Sequence, residues 1–182
     1  MDQFTIANSA LSSDADPLAR WLLQQGLEGA SQPDLLQGYC EKLVGMGIPL
    51  CRLHMAQRAF HPQFGGIGFD WLRASGVSRE QYAHTDVQPD RWLQSPLFYL
   101  LENGQPEIRE SLSAPGYNSR FPLLNELAAQ GATDYFATGL LFEKIDDQTQ
   151  IDPNNTPEGI LISWASDSPG GFSDTDLDQI RR

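Results

Sequence analysis

Basic residues are scarce in this sequence of 182 residues, in which 12 Lys and Arg stand against 24 Asp and Glu. The formal net charge is −12, and no run of Lys and Arg interrupts the acidic background. A field of this sign repels phosphate backbones and anionic lipid headgroups. We therefore expect neither nucleic acid nor a membrane surface as a partner.

Long apolar runs are also missing. No stretch approaches the roughly 20 apolar residues that a membrane-spanning helix needs, and the N-terminus lacks the basic and apolar regions of a signal peptide. Apolar residues still make up 40% of the chain, which is enough for the core of one domain. These features predict a soluble, cytoplasmic protein.

Cysteine occurs twice, as Cys40 and Cys51. Two cysteines are too few for a disulfide scaffold, and a reducing compartment is the simpler interpretation. Cys40 falls on the apolar face of a predicted helix, and Cys51 shares the apolar face of a predicted strand with Leu53. Both thiols are therefore expected to be buried and unreactive.

Motifs for phosphate binding, nucleophilic catalysis and metal binding are not found. The glycine pairs lack the Lys-Ser/Thr that follows a phosphate loop, and no Gly-x-Ser-x-Gly elbow occurs. His54, His61 and His84 have no standard ligand spacing. A metal site would need them to converge with Asp70 or Asp86. We predict no metal, no cofactor and no catalytic residue.

Apolar periodicity, capping residues and turn residues predict alternating helices and strands. Helices are expected at residues 17–26, 31–47, 97–103 and 121–130 and from Ser173 onward. Strands are expected at residues 49–60, 67–73, 106–112, 133–142 and 159–165. Residues 74–94 have no clear period and are predicted to be a long loop, and residues 145–158 an exposed hairpin loop. Strands joined mainly as hairpins predict an α+β fold with an antiparallel sheet of about five to six strands.

Three segments carry a resemblance to a known family. They are PLCRLH at 49–54 followed by His61-Pro62 and GFDW at 68–71, then GATDY at 131–135 after the helix of 121–129, and SWASD at 163–167 running into PGGFSD at 169–174. In this order they resemble the N-terminal GAF-like regulatory (sensor) domain of bacterial class III adenylate/guanylate cyclases. The resemblance covers most of residues 30–182.

The resemblance implies a GAF/PAS-like fold, in which terminal helices pack on one sheet face and short helices and loops roof a ligand pocket on the other. The expected boundaries are a loose N-terminus at residues 1–12, a sensor domain at 13–172 and the start of a C-terminal signalling helix at 173–182. The two metal-binding aspartates of the cyclase catalytic domain have no counterpart in this sequence. The resemblance therefore implies that residues 1–182 carry no catalytic site.

The function implied is that of a non-catalytic sensor, controlling a C-terminal nucleotide cyclase by binding an unidentified small molecule, by homodimerisation, or by both. Two alternatives stay open. One is a stand-alone small redox enzyme on a GAF-like scaffold, which would use Cys40 and Cys51. The other is a pure dimerisation module that binds no ligand.

A ligand pocket would be built from aromatic walls and a few cationic groups, suited to a small anionic or planar ligand. The candidates lie on strands or on the segments expected to roof the sheet: Arg52, His54, Trp71, Tyr99, Arg120, Tyr135 and Trp164. The alternative interpretation is that the aromatic residues fill the core and the arginine side chains extend to solvent.

Overall fold

The computed structural model describes residues 16–83, 89–141 and 159–182. Within them, six strands form one antiparallel sheet in the order β3-β2-β1-β6-β5-β4. The strands are β1 (Leu50–His61), β2 (Phe64–Leu72), β3 (Gly76–Tyr82), β4 (Glu107–Ser111), β5 (Asp134–Leu141) and β6 (Gly159–Ser166). The helices are α1 (Pro17–Leu27), α2 (Gln32–Gly45), α3 (Asp90–Leu93), α4 (Pro96–Glu102), α5 (Pro122–Ala129) and α6 (Asp174–Ile180).

One face of the sheet is covered by the terminal helices α1, α2 and α6. Leu53 on β1 lies opposite Trp71 on β2 and Trp164 on β6, so these three side chains share that face. They form one buried cluster with Leu43 of α2 and Leu177 of α6. Burial of this apolar surface holds the terminal helices on the sheet.

The opposite face is covered in part by α4 and α5. Tyr135 and Ala137 of β5 point to this side and are completely buried. Leu100 of α4 and Leu124 of α5 pack in the same cluster. The predicted fold class is therefore confirmed as α+β: one antiparallel sheet of six strands, with terminal helices on one face and short helices on the other.

A bulge near the start of β1 changes the direction of Cys51. Leu50 pairs with Ser166 and Arg52 with Ala165, so one extra residue stands in β1 between these two pairs. Cys51 consequently packs in the α4–α5 cluster, whereas Leu53 lies under the terminal helices. The prediction that Cys51 and Leu53 share a face is wrong because the bulge interrupts the alternation.

The predicted loop at residues 74–94 contains two elements, β3 and α3. β3 pairs with β2 at the edge of the sheet, and its last five residues are exposed. An edge strand in solvent needs no alternation of apolar and polar residues, which is why periodicity missed it. His84 and Asp86 lie outside the described residues, as do the expected loose N-terminus and the predicted hairpin loop of 145–158.

The last helix begins as the sequence predicted. Ser173 Oγ accepts a hydrogen bond from the Asp176 amide, and the Asp176 carboxylate accepts one from the Ser173 amide, which completes a capping box. Leu177 and Ile180 are buried against the sheet. None of the helices in the described ranges is long and apolar enough to span a membrane.

Candidate functional site

A group of polar side chains, Arg52, His54 and Asp70, lies on the sheet face opposite the terminal helices. We call it the polar cluster. His54 and Asp70 stand opposite each other on β1 and β2, and the Arg52 guanidinium donates a hydrogen bond to Asp70 Oδ1. Asp70 Oδ2 lies 3.1 Å from His54 Nδ1. The three side chains are 17%, 15% and 26% exposed, so the cluster is largely withdrawn from water.

The charge of Asp70 is stabilised within this cluster. Burial by itself raises the pKa of the Asp70 carboxyl, but the hydrogen bond from His54 and the positive charge of Arg52 outweigh burial and leave this pKa lowered. The carboxylate therefore balances the guanidinium at neutral pH. The cluster carries hydrogen-bonding groups of both kinds with little net charge.

A buried tyrosine hydroxyl lies on the same sheet face. Tyr135 pairs with Ala165 on β6, and Ala165 pairs with Arg52 on β1, which sets Tyr135 and Arg52 in one cross-strand row. The Tyr135 hydroxyl makes no hydrogen bond of ordinary geometry with the described residues. Burial raises its pKa to about 12, while the Ser163 side chain and the positive charge of Arg52 act to lower it. An unpaired buried hydroxyl costs about 1–3 kcal/mol.

Tyr82 flanks the polar cluster from the edge strand. Its ring lies against Gly68, where an added Cβ would overlap the Tyr82 hydroxyl oxygen. Burial and the negative charges of Glu80 and Asp70 raise the pKa of Tyr82, so this side chain stays neutral. A glycine on β2 thus lets an aromatic ring approach the sheet beside Asp70.

The predicted pocket residues divide between two places on this side of the sheet. Arg52, His54 and Tyr135 lie on the sheet itself. Tyr99 and Arg120 belong to the helical layer above it, where the Arg120 guanidinium lies 3.8 Å from the centre of the Tyr99 ring. This is the geometry of a cation–π contact, and it leaves the arginine side chain exposed.

The structure places Trp71 and Trp164 on the other face of the sheet, under the terminal helices. The Trp164 ring packs against Phe136 with 5.7 Å between ring centres. Since the sheet separates these indoles from Arg52, the two tryptophans belong to the core and the structure does not bring them together with the polar cluster.

Asp70 and Tyr82 are members of the site that the sequence did not propose as pocket residues. From the sequence, Asp70 is a candidate metal ligand and not a pocket residue. The available signal was the hairpin: once β1 and β2 are paired, Asp70 falls opposite His54. Within residues 16–83, 89–141 and 159–182, no three His, Cys, Asp or Glu side chains are grouped to hold a metal ion.

Two surface depressions lie away from the polar cluster. One, of about 590 Å³, lies between α1 and α2 and is lined by residues that include Trp21, Gly38 and Met46. The other, of about 290 Å³, lies between α3 and α5 beside Arg91 and Leu123. Both are open to solvent and neither is lined by a member of the polar cluster.

The two thiols are expected to resist alkylation in the folded protein. Cys40 is fully buried, and burial raises its pKa. Burial and the charge of Asp167 also raise the pKa of Cys51, with Arg73 opposing. Because the thiolate is the reactive form, we expect iodoacetamide at neutral pH to label neither residue, as followed by intact mass. The same reaction in urea is the control, and rapid labelling of folded Cys51 would favour the redox alternative.

No protein-family model matches this sequence. No curated protein matches it either. Among solved structures, the chain is similar to the GAF domain of a two-component sensor histidine kinase from Bacillus halodurans, with a TM-score of 0.42 and 14% identity over 78% of this chain and 83% of that one.

Proposed function

We propose that this chain is a non-catalytic regulatory sensor domain of a signal-transduction protein, and that it binds a small molecule at the polar cluster. The observation that carries this proposal is the fully buried hydroxyl of Tyr135, which has no hydrogen-bond partner of ordinary geometry among the described residues and stands in one row with Arg52. Buried polar groups are nearly always paired in folded proteins. A ligand group that bonds to this hydroxyl would complete the network.

The chemistry of the cluster suits a small planar ligand with hydrogen-bonding groups, because the Asp70 carboxylate balances the charge of Arg52 and gives an anion no net attraction. Arg52 and the Tyr135 hydroxyl donate hydrogen bonds, and Asp70 accepts them. The ring of Tyr82 beside Gly68 offers an apolar surface to a planar group. Such a mixture of a few polar groups and aromatic surface is typical of small-molecule sites.

The state of the cysteines supports binding rather than redox catalysis. A reductase or peroxidase needs an accessible thiolate, whereas the pKa values of Cys40 and Cys51 are both raised by burial. The sensor interpretation needs no nucleophile.

The output of the domain is proposed to be control of a C-terminal nucleotide cyclase in a homodimer. The order of the three resembling segments supports the cyclase. Dimerisation is supported by apolar side chains that are exposed on α1 and α2, namely Leu23, Leu27 and Val44. A second copy of the chain would cover them. If light scattering shows a monomer at high concentration, the dimer proposal fails.

Native mass spectrometry of the purified protein tests ligand binding. We expect a co-purified small molecule on the natural sequence, and about tenfold or greater loss of its occupancy in Tyr135→Phe and Arg52→Met, since each removes a hydrogen bond to the ligand. Tyr135→Phe should leave the stability unchanged or higher, because without the ligand the hydroxyl has no hydrogen-bond partner among the described residues.

The matched control is Arg91→Met, which removes an arginine that is 81% exposed. It should leave occupancy unchanged. A natural protein with no bound molecule, and no chemical-shift changes at the cluster in a fragment screen, would overturn the proposal and favour a dimerisation module without a ligand.

A further inference from the structure

The polar cluster has a physical connection to the last helix through the residue that precedes Tyr135. We infer that Asp134 is a positioning residue that couples the occupancy of the cluster to the seating of α6. This inference rests on the proposed function for its input, while the connection itself is a property of the fold. Its members, Arg109, Asp134 and Phe172, are called the clamp.

The Asp134 carboxylate is the centre of the clamp. Its side chain is 3% exposed. Oδ2 accepts hydrogen bonds from the Phe172 amide at 3.0 Å and from Arg109 Nη2 at 2.8 Å. Oδ1 accepts one from the amide of Tyr135 at 3.0 Å. One buried carboxylate therefore bonds both to the backbone of the site tyrosine and to the backbone that leads into α6.

Arg109 holds the other side of Phe172. Its Nη2 donates to the Phe172 carbonyl at 2.6 Å, so both backbone polar groups of Phe172 are bound within the clamp. The Phe172 side chain is itself buried under the terminal helices. Ser173, the next residue, is the N-cap of α6. The clamp therefore fixes the position at which the last helix begins.

The far end of α6 is bonded to β4, the strand that also carries Arg109. Arg181 donates from Nη2 and Nε to the Glu107 carboxylate at 2.8 and 3.0 Å. Glu107 and Arg109 both belong to β4. Since β4 pairs with β5, a movement of β5 acts on both ends of α6.

The coupling follows from these bonds. A ligand bonded to the Tyr135 hydroxyl favours one position of that residue on β5. Asp134 is its covalent neighbour and accepts from its amide, so the carboxylate moves with it and changes the bond to Phe172. We infer two states of α6, one seated on the sheet and one released from it. A ligand shifts the equilibrium between them only by the difference in its affinity for the two states.

Hydrogen–deuterium exchange measures the clamp directly, because the amide hydrogen of Phe172 is the one donated to Asp134. In Asp134→Asn we expect exchange at Phe172 and in α6 to accelerate about tenfold or more, because the bonds at this side chain lose the negative charge and one of its two accepting oxygens becomes a donor. Arg109→Lys, which cannot bond to Asp134 and Phe172 in the same bidentate way, should give a smaller increase in the same amides. Unchanged protection in β1 shows that each variant is folded.

The matched control is Asp167→Asn. It makes the same chemical change in the turn before α6, but Asp167 is exposed and pairs with Arg73 outside the clamp. Exchange at Phe172 should change less than about threefold. An equal effect of both substitutions would mean that the clamp is ordinary turn structure.

A double-mutant cycle separates coupling from local support. Arg52→Met perturbs the cluster and should change exchange at Phe172 about threefold or more in the natural background, but not in Asp134→Asn. Tyr135→Phe repeats the test with a change that leaves the fold intact. Equal effects in both backgrounds, or none in either, overturn the coupling. Coupling without any ligand in native mass spectrometry would leave this inference standing and remove the proposed function.

Discussion

Replacing Gly171 by alanine is expected to lower the free energy of unfolding by about 3 kcal/mol, from two separate causes. Gly171 has a φ of +67°, a conformation that costs an L-residue about 1–2 kcal/mol. An added Cβ would also stand 2.6 Å from Asp134 Oδ2 and 2.8 Å from Asp134 Cβ. Relief of this overlap would move the buried carboxylate away from Phe172.

Gly170→Ala is the matched control, one residue earlier in the same turn. Apart from its two neighbours in the chain, no atom of the described residues lies within 4 Å of its added Cβ, and its φ is not positive. We expect a change within about 0.5 kcal/mol. Urea unfolding followed by tryptophan fluorescence measures both variants. A loss below about 1 kcal/mol for Gly171→Ala would show that the carboxylate is not held tightly against the turn.

Helix starts were the part of the fold that local sequence predicted well. Ser31, Ser95 and Ser173 each precede a helix, and each side chain accepts a hydrogen bond from an amide in the first turn. Such a cap is decided within four residues. The antiparallel sheet was predictable for a similar reason, because short connections limit how successive strands pair.

The two misses have different causes, since β3 pairs with the strand directly before it, whereas the bulge depends on a strand that is distant in sequence. β3 is stabilised by hydrogen bonds to β2, and most of its residues are exposed. Its sequence therefore has no pattern of apolar residues from which a strand could be predicted. The bulge at Cys51 is set by the register with β6, more than a hundred residues away. Neither the pairing of β1 with β6 nor its register can be read from the local pattern around Cys51.

The candidate site divides in the same way. Alternation in β1 predicted that Arg52 and His54 share a face, and the two side chains lie on one face of the sheet. The place of Trp71 and Trp164 followed from their pairing with Leu53. Asp134 was missed as a coupling residue because Arg109 and Phe172, its partners, are 25 and 38 residues away.

Truncating Phe136 to alanine is expected to lower the free energy of unfolding by about 3–5 kcal/mol. Phe136 is completely buried under the terminal helices. Its ring packs on Trp164, and the Arg181 guanidinium lies 5.2 Å from its centre. Because the cavity would open between the sheet and α6, this variant should also accelerate exchange of the α6 amides.

Leu140→Ala supplies the comparison from the same strand and the same sheet face. Leu140 is 63% exposed, so its truncation should cost less than about 1 kcal/mol. Both values come from the midpoint and slope of urea unfolding curves, with an unchanged slope required for comparison. Similar costs for the two truncations would contradict the packing of α6 on β5. A large loss at Phe136 alone, with faster exchange in α6, would establish that the seating of the last helix depends on the strand that carries Asp134 and Tyr135.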